Sequence, residues 1–267
     1  MNKFIKILLL LFFALLLSAG IASATFINPL GEWSSSAALG LQGLLDSITV
    51  PGPSSIDASG DDNDALPDSI DSLWSVAASG TSSQTIFFEI AGYNDQNSFG
   101  IYDAADFNNR IEIFVGPDAP GIGFGGRNSI SITGVGDVYV GGFEPGDYAG
   151  TFAGNHFGFY LQGPGGLFFS DSSLNAVLAD QMVAFQGVND TIQHPVDLLS
   201  GVWTPDEYML AWEDLPLGNS DQDYNDFVVL VESVNPNPVP EPATMLLLGS
   251  GLLGLAGVGR RKLFKKK

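Results

Sequence analysis

Residues 156–170 read HFGFYLQGPGGLFFS and give the clearest strand signal in the chain. Phe157, Phe159 and Leu161 occupy alternate positions, so their side chains share one face of an extended strand. The run of glycine and proline that follows interrupts the strand before a second apolar stretch begins. This pattern predicts two short β-strands separated by a turn.

The same signature recurs along the chain from residue 84 onward. Ten strands are predicted, at residues 85–91, 98–102, 110–115, 129–133, 138–140, 156–161, 167–170, 182–186, 207–213 and 227–233. Ten short strands at near-regular spacing are typical of a β-sandwich or a jelly roll. We therefore expect an all-β ectodomain over residues 84–236, with most aromatic side chains in its core rather than on a ligand platform.

The region before this domain, residues 25–83, predicts one helix and one long loop. The helix is indicated by apolar residues at i, i+3, i+4 and i+7, which are Leu41, Leu44, Leu45 and Ile48. Residues 51–71 are rich in Asp, Ser, Gly and Pro, a composition typical of loops. A short amphipathic helix and an acidic loop are therefore expected ahead of the strands.

Charge is distributed unevenly along the 267 residues, whose formal net charge is −20. Eight of the ten Lys and Arg residues lie at the two ends, so residues 25–240 carry 29 acidic residues against Arg110 and Arg127, or about −27. A surface this acidic excludes nucleic acid as a partner, because phosphate binding needs basic side chains. The chain has no cysteine, which excludes disulfides, cysteine-ligated zinc and thiol chemistry.

Residues 1–24 predict a secretory signal peptide. Two lysines fall within the first six residues, an apolar run covers residues 7–17, and Ala22 and Ala24 are the small residues that signal peptidase recognises. A permanent transmembrane anchor is the alternative. It is disfavoured because eleven helical residues extend about 16 Å, whereas the hydrocarbon core is about 30 Å thick.

The C-terminus contains a second apolar segment, residues 243–258, which predicts a transmembrane helix. A basic cluster that begins with Arg260 and Arg261 follows it directly. The positive-inside rule places that cluster in the cytoplasm and the acidic region outside. Sixteen residues are short for a permanent span, although a plain C-terminal anchor stays an alternative.

Pro240, Glu241 and Pro242 immediately precede this helix. Pro-Glu-Pro, a short apolar helix and a basic cluster, in this order over residues 237–267, resemble the PEP-CTERM sorting signal of Gram-negative bacteria. The resemblance implies secretion across the inner membrane, transient anchoring there and cleavage by an exosortase. It also implies a final location at the cell surface or in the extracellular matrix, alongside exopolysaccharide in biofilm.

Residues 213–226, EDLPLGNSDQDYND, place many oxygen-bearing side chains on one loop between two predicted strands. Calcium takes six to eight oxygen ligands, and short acidic side chains at alternate loop positions can supply them. The candidate ligands are Glu213, Asp214, Asp221, Asp223, Asn225 and Asp226, with Asn94, Asp95 and Asn97 as weaker candidates from another loop. The loop lacks the glycine and glutamate of an EF-hand, and a solvated acidic turn is the alternative.

Three segments, residues 87–93, 97–103 and 213–226, together resemble a bacterial domain family of unknown function that is found on secreted proteins. The resemblance covers about residues 84–234 and includes the family's closing Asp-x-Asp-Phe/Tyr-Asn-Asp motif. It implies calcium binding at that motif, which falls here on Asp221, Asp223, Tyr224, Asn225 and Asp226, with Glu213 and Asp214 upstream. The resemblance suggests no substrate.

These features together predict an exported, calcium-stabilised β domain that is not an enzyme and has a structural or adhesive role in exopolysaccharide or biofilm. Signal peptidase and an exosortase would be its processing enzymes. One alternative is a lectin-like module that stacks sugars on exposed tryptophans, for which the candidates are Trp33, Trp74, Trp203 and Trp212. A polysaccharide hydrolase that uses two carboxylates is a weaker alternative, because the sequence contains no recognisable nucleophile or metalloprotease motif.

Overall fold

The computed structural model describes residues 40–59, 64–78, 80–89, 96–116, 126–142, 144–195 and 198–237. These residues form two α-helices, short 3-10 turns and fifteen β-strands. The helices are α1 (Leu41–Ile48) and α2 (Asp68–Asp71). The strands are β1 (Leu73–Val76), β2 (Thr81–Glu89), β3 (Ser98–Asp103), β4 (Asp106–Phe114), β5 (Arg127–Ile132), β6 (Asp137–Val140), β7 (Tyr148–Thr151), β8 (His156–Gly163), β9 (Gly166–Phe169), β10 (Met182–Gln186), β11 (Asp190–Gln193), β12 (Ser200–Trp203), β13 (Glu207–Trp212), β14 (Phe227–Glu232) and β15 (Val234–Asn237).

Two antiparallel sheets make up most of the molecule. The front sheet has the order β10-β13-β14-β2-β5-β6-β7, and the back sheet has the order β15-β1-β8-β3-β4 with β9 also paired to β8. A separate hairpin, β11–β12, pairs with neither sheet but packs on the front sheet through Ile192 and Trp203. Each of the ten predicted strands has a counterpart among the described residues, and the mostly β, antiparallel architecture is consistent with the expected β-sandwich.

The core lies between the two sheets and is dominated by aromatic rings. Phe99 of the back sheet lies 5.3 Å from Phe227 of the front sheet and 5.5 Å from Phe159, measured between ring centroids. Trp74 and Trp212 are also fully buried in this layer, and Trp203 is fully buried elsewhere. These three tryptophans therefore offer no surface for sugar stacking, while Trp33 lies outside the described residues.

Helix α1 covers part of the outer face of the front sheet. Its four predicted apolar residues are all buried, and they pack against Phe185, Met209 and Val228. Burial of several leucine and isoleucine side chains contributes about 1.5–3 kcal/mol each. The predicted amphipathic helix is thus confirmed, and α2 occupies the end of the stretch expected to be a loop.

Five strands were not predicted: β1, β7, β11, β12 and β15. Strand β1 lies before residue 84, the predicted start of the domain, yet it pairs with both β8 and β15 in the back sheet. The β-sandwich therefore includes residues of the 25–83 region, which was predicted to contain only a helix and an acidic loop. Among the described residues no helix is long and apolar enough to cross a membrane. The predicted signal peptide and the predicted helix at residues 243–258 both lie outside them.

Candidate metal centre

The candidate site is the loop of residues 213–226, which joins the ends of β13 and β14. A turn begins at Pro216, whose carbonyl accepts hydrogen bonds from the backbone N–H groups of Asn219 and Ser220 at 2.7 and 3.1 Å. Gln222 (φ 60°) and Tyr224 (φ 51°) both adopt the left-handed conformation. The loop therefore folds back, so that its second half returns to the start of the first.

Three carboxylates meet where the two halves of the loop come together. One oxygen each from Glu213, Asp221 and Asp223 lie within 4.8 Å of one another. Glu213 is fully buried and Asp223 nearly so, whereas Asp221 is exposed. The cluster therefore has a buried base and one carboxylate in contact with solvent.

The two oxygens of Glu213 have different surroundings. Oε1 accepts a hydrogen bond of 2.7 Å from the backbone N–H of Tyr224. Oε2 is buried and makes no hydrogen bond of good geometry with the described residues. The Ser220 hydroxyl lies close enough to lower the pKa of Glu213, but its geometry is too poor for a full hydrogen bond. An unpaired buried polar group costs about 1–3 kcal/mol, and more when it is charged. A bound cation would supply the missing partner, so these residues fit a hard, oxygen-binding metal ion.

The pKa values of the cluster show the same deficit of positive charge. Burial raises the pKa of Glu213 to about 7, and the nearby carboxylates of Asp223 and Asp221 add to this rise. Burial, followed by repulsion from Asp221, raises the pKa of Asp223 to about 6. A divalent cation between these groups would reverse both effects, because it favours the ionised carboxylates.

The other three predicted ligands from this loop hold it in shape. Asp226 Oδ2 accepts the backbone N–H of Asp214 at 3.0 Å, and Asp214 Oδ2 accepts the amide of Asn97 at 3.0 Å. The amide of Asn225 donates to Asp223 Oδ2 at 2.5 Å. Burial, together with Glu213 and Asp214, raises the pKa of Asp226 to about 8.

Some predicted residues fall outside the described part of the chain. They are Asn94, Asp95, Ala22, Ala24, Pro240, Glu241, Pro242, Arg260 and Arg261. Asn97, the remaining weak candidate, is buried, and its Oδ1 has no hydrogen-bond partner among the described residues. It therefore contacts the site through its hydrogen bond to Asp214.

Two residues that support the loop, Asp180 and Gln181, were not predicted. They precede the loop by more than thirty positions. The buried Gln181 donates to the carbonyls of Glu213 and Leu215 at 3.2 and 2.8 Å and accepts the N–H of Leu217 at 3.2 Å. The phenol of Tyr224 donates to the carbonyl of Asp180 at 2.5 Å. These bonds fix the loop to the segment before β10, and the sequence pattern shows no sign of them.

A second group of acidic residues lies beside this contact. Asp71 and Asp180 are buried, and burial raises the pKa of both carboxyls well above the usual range, with further contributions from neighbouring carboxylates that include Asp68. The Tyr224 phenol links Asp180 to the 213–226 loop. The acidic interior is thus larger than the 213–226 loop alone.

Comparison with known proteins gives two matches. Residues 238–262 match the PEP-CTERM protein-sorting motif. The C-terminal segment is therefore similar to an exosortase sorting signal. This match supports an exported, exosortase-processed protein of the cell surface or the extracellular space.

The second match is to a domain of unknown function, DUF4114, over residues 149–234. The matched region begins within β7 and includes the whole 213–226 loop. The match is shorter than the expected resemblance over residues 84–234. No curated protein and no solved structure matches the chain.

Proposed function

We propose that this exported PEP-CTERM protein binds calcium at Glu213, Asp221 and Asp223, and that the ion stabilises its β-sandwich outside the cell. Its role is structural or adhesive, at the cell surface or in an exopolysaccharide matrix, and involves no catalysis. The observation that carries the metal proposal is Glu213 Oε2, a buried carboxylate oxygen that makes no hydrogen bond of good geometry with the described residues, at the centre of three converging carboxylates.

Calcium suits this loop better than the alternatives among common divalent ions. The donors are carboxylate oxygens, which favour calcium, magnesium and manganese over zinc and copper. The cluster has one exposed carboxylate, Asp221, through which water can complete the coordination shell. Calcium tolerates such irregular shells, whereas magnesium demands near-octahedral geometry and keeps more of its waters.

The ion would act by joining the two ends of the loop that connects β13 to β14. Both strands belong to the front sheet and contribute to the core between the sheets. Because the ion would bind the folded protein and not the unfolded chain, it would increase the free energy of unfolding. Where calcium is abundant outside the cell, the bound ion would also neutralise part of the negative charge of residues 25–240.

Thermal unfolding of the full chain at pH 8, in EDTA and in excess calcium, tests the proposal. At a calcium concentration of about 100 times Kd the stabilisation is about 2.7 kcal/mol, which corresponds to a rise in Tm of about 5–10 °C. The Asp221→Ala and Asp223→Ala variants should lose most of this rise. Magnesium at the same concentration should give a smaller rise in Tm.

The matched control is Glu112→Ala, which removes an exposed carboxylate from β4, on the back sheet. Its calcium response should equal that of the wild type. A wild-type Tm that does not respond to calcium would refute the metal proposal. A calcium response that persists in both loop variants would show that the ion binds elsewhere.

A further inference from the structure

A second site lies on the outer face of the front sheet, beyond the area that α1 covers. It is a groove of about 460 Å³, here called the transverse groove, lined by Ser83, Thr85, Arg127, Ser129, Gly141 and Glu232 among others. A recess of about 180 Å³ continues it beneath the β11–β12 hairpin and shares Thr85, Arg127 and Glu232 with it. The volume of the groove is within the range of small-molecule sites.

Strand register shows how the floor of the groove is built. Glu232 of β14 lies opposite Ser83 of β2, which in turn lies opposite Ser129 of β5. Their neighbours Val231 and Ile130 point into the core, so alternation places these three polar side chains on the outer face. The row ends at Gly141, which has no side chain to close the groove. The groove therefore crosses the strands.

The floor can both donate and accept hydrogen bonds. Hydroxyl groups of Ser83, Thr85 and Ser129 serve in both roles, the Arg127 guanidinium donates, and the Glu232 carboxylate accepts. Arg127 is one of only two basic residues between residues 25 and 240, and it interacts electrostatically with Glu232. The floor thus has little net charge within a strongly acidic molecule.

One wall of the recess is apolar and exposed. Leu199 and Val202 of the hairpin segment expose 63% and 51% of their surfaces and line this recess. The buried His194 holds the hairpin in place, because its Nε2 lies 3.1 Å from the carbonyl oxygen of Ile86 in β2. A polar floor beside a fixed apolar wall complements a ligand with hydroxyl-bearing edges and an apolar face.

The surroundings exclude other kinds of occupant. A peptide cannot add as a strand to the floor, because β14, β2 and β5 each already have neighbours on both sides. A polyanion is disfavoured by the formal net charge of −20 and by the carboxylate of Glu232 beside the single arginine of the floor. Sugar rings carry hydroxyls around their edges and C–H groups on their faces, which matches this floor and wall.

We infer that the transverse groove binds a segment of a neutral polysaccharide, held by Ser83, Arg127, Ser129 and Glu232 and by apolar contact with the hairpin. This site differs from the tryptophan platforms that the sequence suggested, since Trp74, Trp203 and Trp212 are buried. It lies at the ends of β13 and β14 away from the metal loop, roughly 17 Å along the strands. The groove and the calcium proposal therefore do not depend on each other.

Affinity electrophoresis of the full chain, in neutral detergent, tests the inference. The gels contain soluble neutral glucan, mannan, xylan or galactan, with alginate as the acidic comparison. We expect at least one neutral polymer to retard the protein, and Arg127→Ala and Ser129→Trp to weaken its affinity at least tenfold. The first variant removes the donor of the floor, and the second fills the groove with an indole ring.

Arg110→Ala is the matched control, since it removes the other arginine of the acidic region, on β4 of the back sheet. It should leave retardation unchanged, and each variant should retain the wild-type circular dichroism spectrum. Retardation should also persist in EDTA at temperatures below the unfolding transition, which separates this site from the metal loop. The inference is overturned if no neutral polymer retards the protein, if Ser129→Trp binds normally, or if alginate alone retards it.

Discussion

Glu213 is the most deeply buried of the three proposed metal ligands. It follows β13 directly, so the sheet fixes its backbone, and its side chain is fully buried. One of its oxygens is satisfied by the N–H of Tyr224, and the other makes no hydrogen bond of good geometry with the described residues. A buried acid of this kind destabilises the ionised protein unless a cation is present.

The pH dependence of stability follows from this arrangement. The pKa of Glu213 in the folded protein is about 7, above its unfolded value of about 4.3. The folded state therefore binds the proton more tightly, and stability in EDTA should fall as pH rises from about 4.5 to about 7. Glu213→Gln, which stays neutral, should lack this part of the fall and be more stable than the wild type at pH 8 in EDTA.

Between pH 5 and pH 8 in EDTA, the free energy of unfolding of the wild type should fall by on the order of 2–3 kcal/mol more than that of Glu213→Gln. Urea unfolding at the two pH values measures this difference. The same variant should lose the rise in Tm with calcium, because it removes a ligand charge. Glu112→Gln, at an exposed position, is the control for the charge change alone. If Glu213→Gln is less stable than the wild type at both pH values, burial of the ionised carboxylate is not the source of the effect.

The sequence predicted where the candidate ligands lie but not which of them converge. Spacing alone selected the loop, because acidic residues at alternate positions between two strands are visible in the sequence. It did not separate the converging group, Glu213, Asp221 and Asp223, from Asp226, which supports the backbone of the loop. That division depends on two left-handed residues and on Gln181, whose contact with the loop is set by tertiary packing.

Among the elements, strands with a clear apolar face were predictable and short edge strands were not. Strand β15 contains Pro236, which normally argues against a strand, and it lies opposite Trp74 of β1. Proline is tolerated there because β15 is at the edge of the back sheet, where one side of the strand needs no hydrogen bonds. Strand β11, DTIQ, is mostly polar because it belongs to a two-stranded hairpin on the surface.

Helix α1 is the element whose contribution to stability can be tested most directly. Leu45 is almost fully buried where the helix packs on the front sheet. Leu45→Ala should lower the free energy of unfolding by about 2–5 kcal/mol, the usual range for a large apolar side chain removed from a core. Urea unfolding of the full chain in EDTA measures the change without a contribution from calcium.

Ser47→Ala, at an exposed position of the same helix, is the matched control. It removes only the local hydrogen bond from the Ser47 hydroxyl to the Leu44 carbonyl, and the gain in helix propensity offsets part of that loss, so stability should change by no more than about 0.5 kcal/mol. Both substitutions introduce alanine, the best helix former, so helix propensity does not account for a loss of stability in Leu45→Ala. A Leu45→Ala variant as stable as the wild type would mean that the helix contributes little to the folded domain.

Basic and acidic residues are segregated along the length of the molecule. Eight of the ten basic residues lie at the ends, and the acidic sandwich lies between them. We expect the ends to act as topology and sorting signals and the acidic middle to fold outside the cell. The match of residues 238–262 to the sorting motif supports this division for the C-terminus.

Processing at the C-terminus provides the test at this scale. Replacing Pro240 and Glu241 by alanine should leave the apolar segment and basic cluster intact but remove the sorting motif. We expect the full-length chain to accumulate in the inner membrane, because export needs only the N-terminal signal whereas release needs recognition by the exosortase. Membrane fractionation and immunoblotting of the native host, compared with Arg110→Ala as an unrelated variant, measures the distribution. Normal release of the shortened protein from the double variant would show that the Pro-Glu-Pro sequence is not what the processing enzyme recognises.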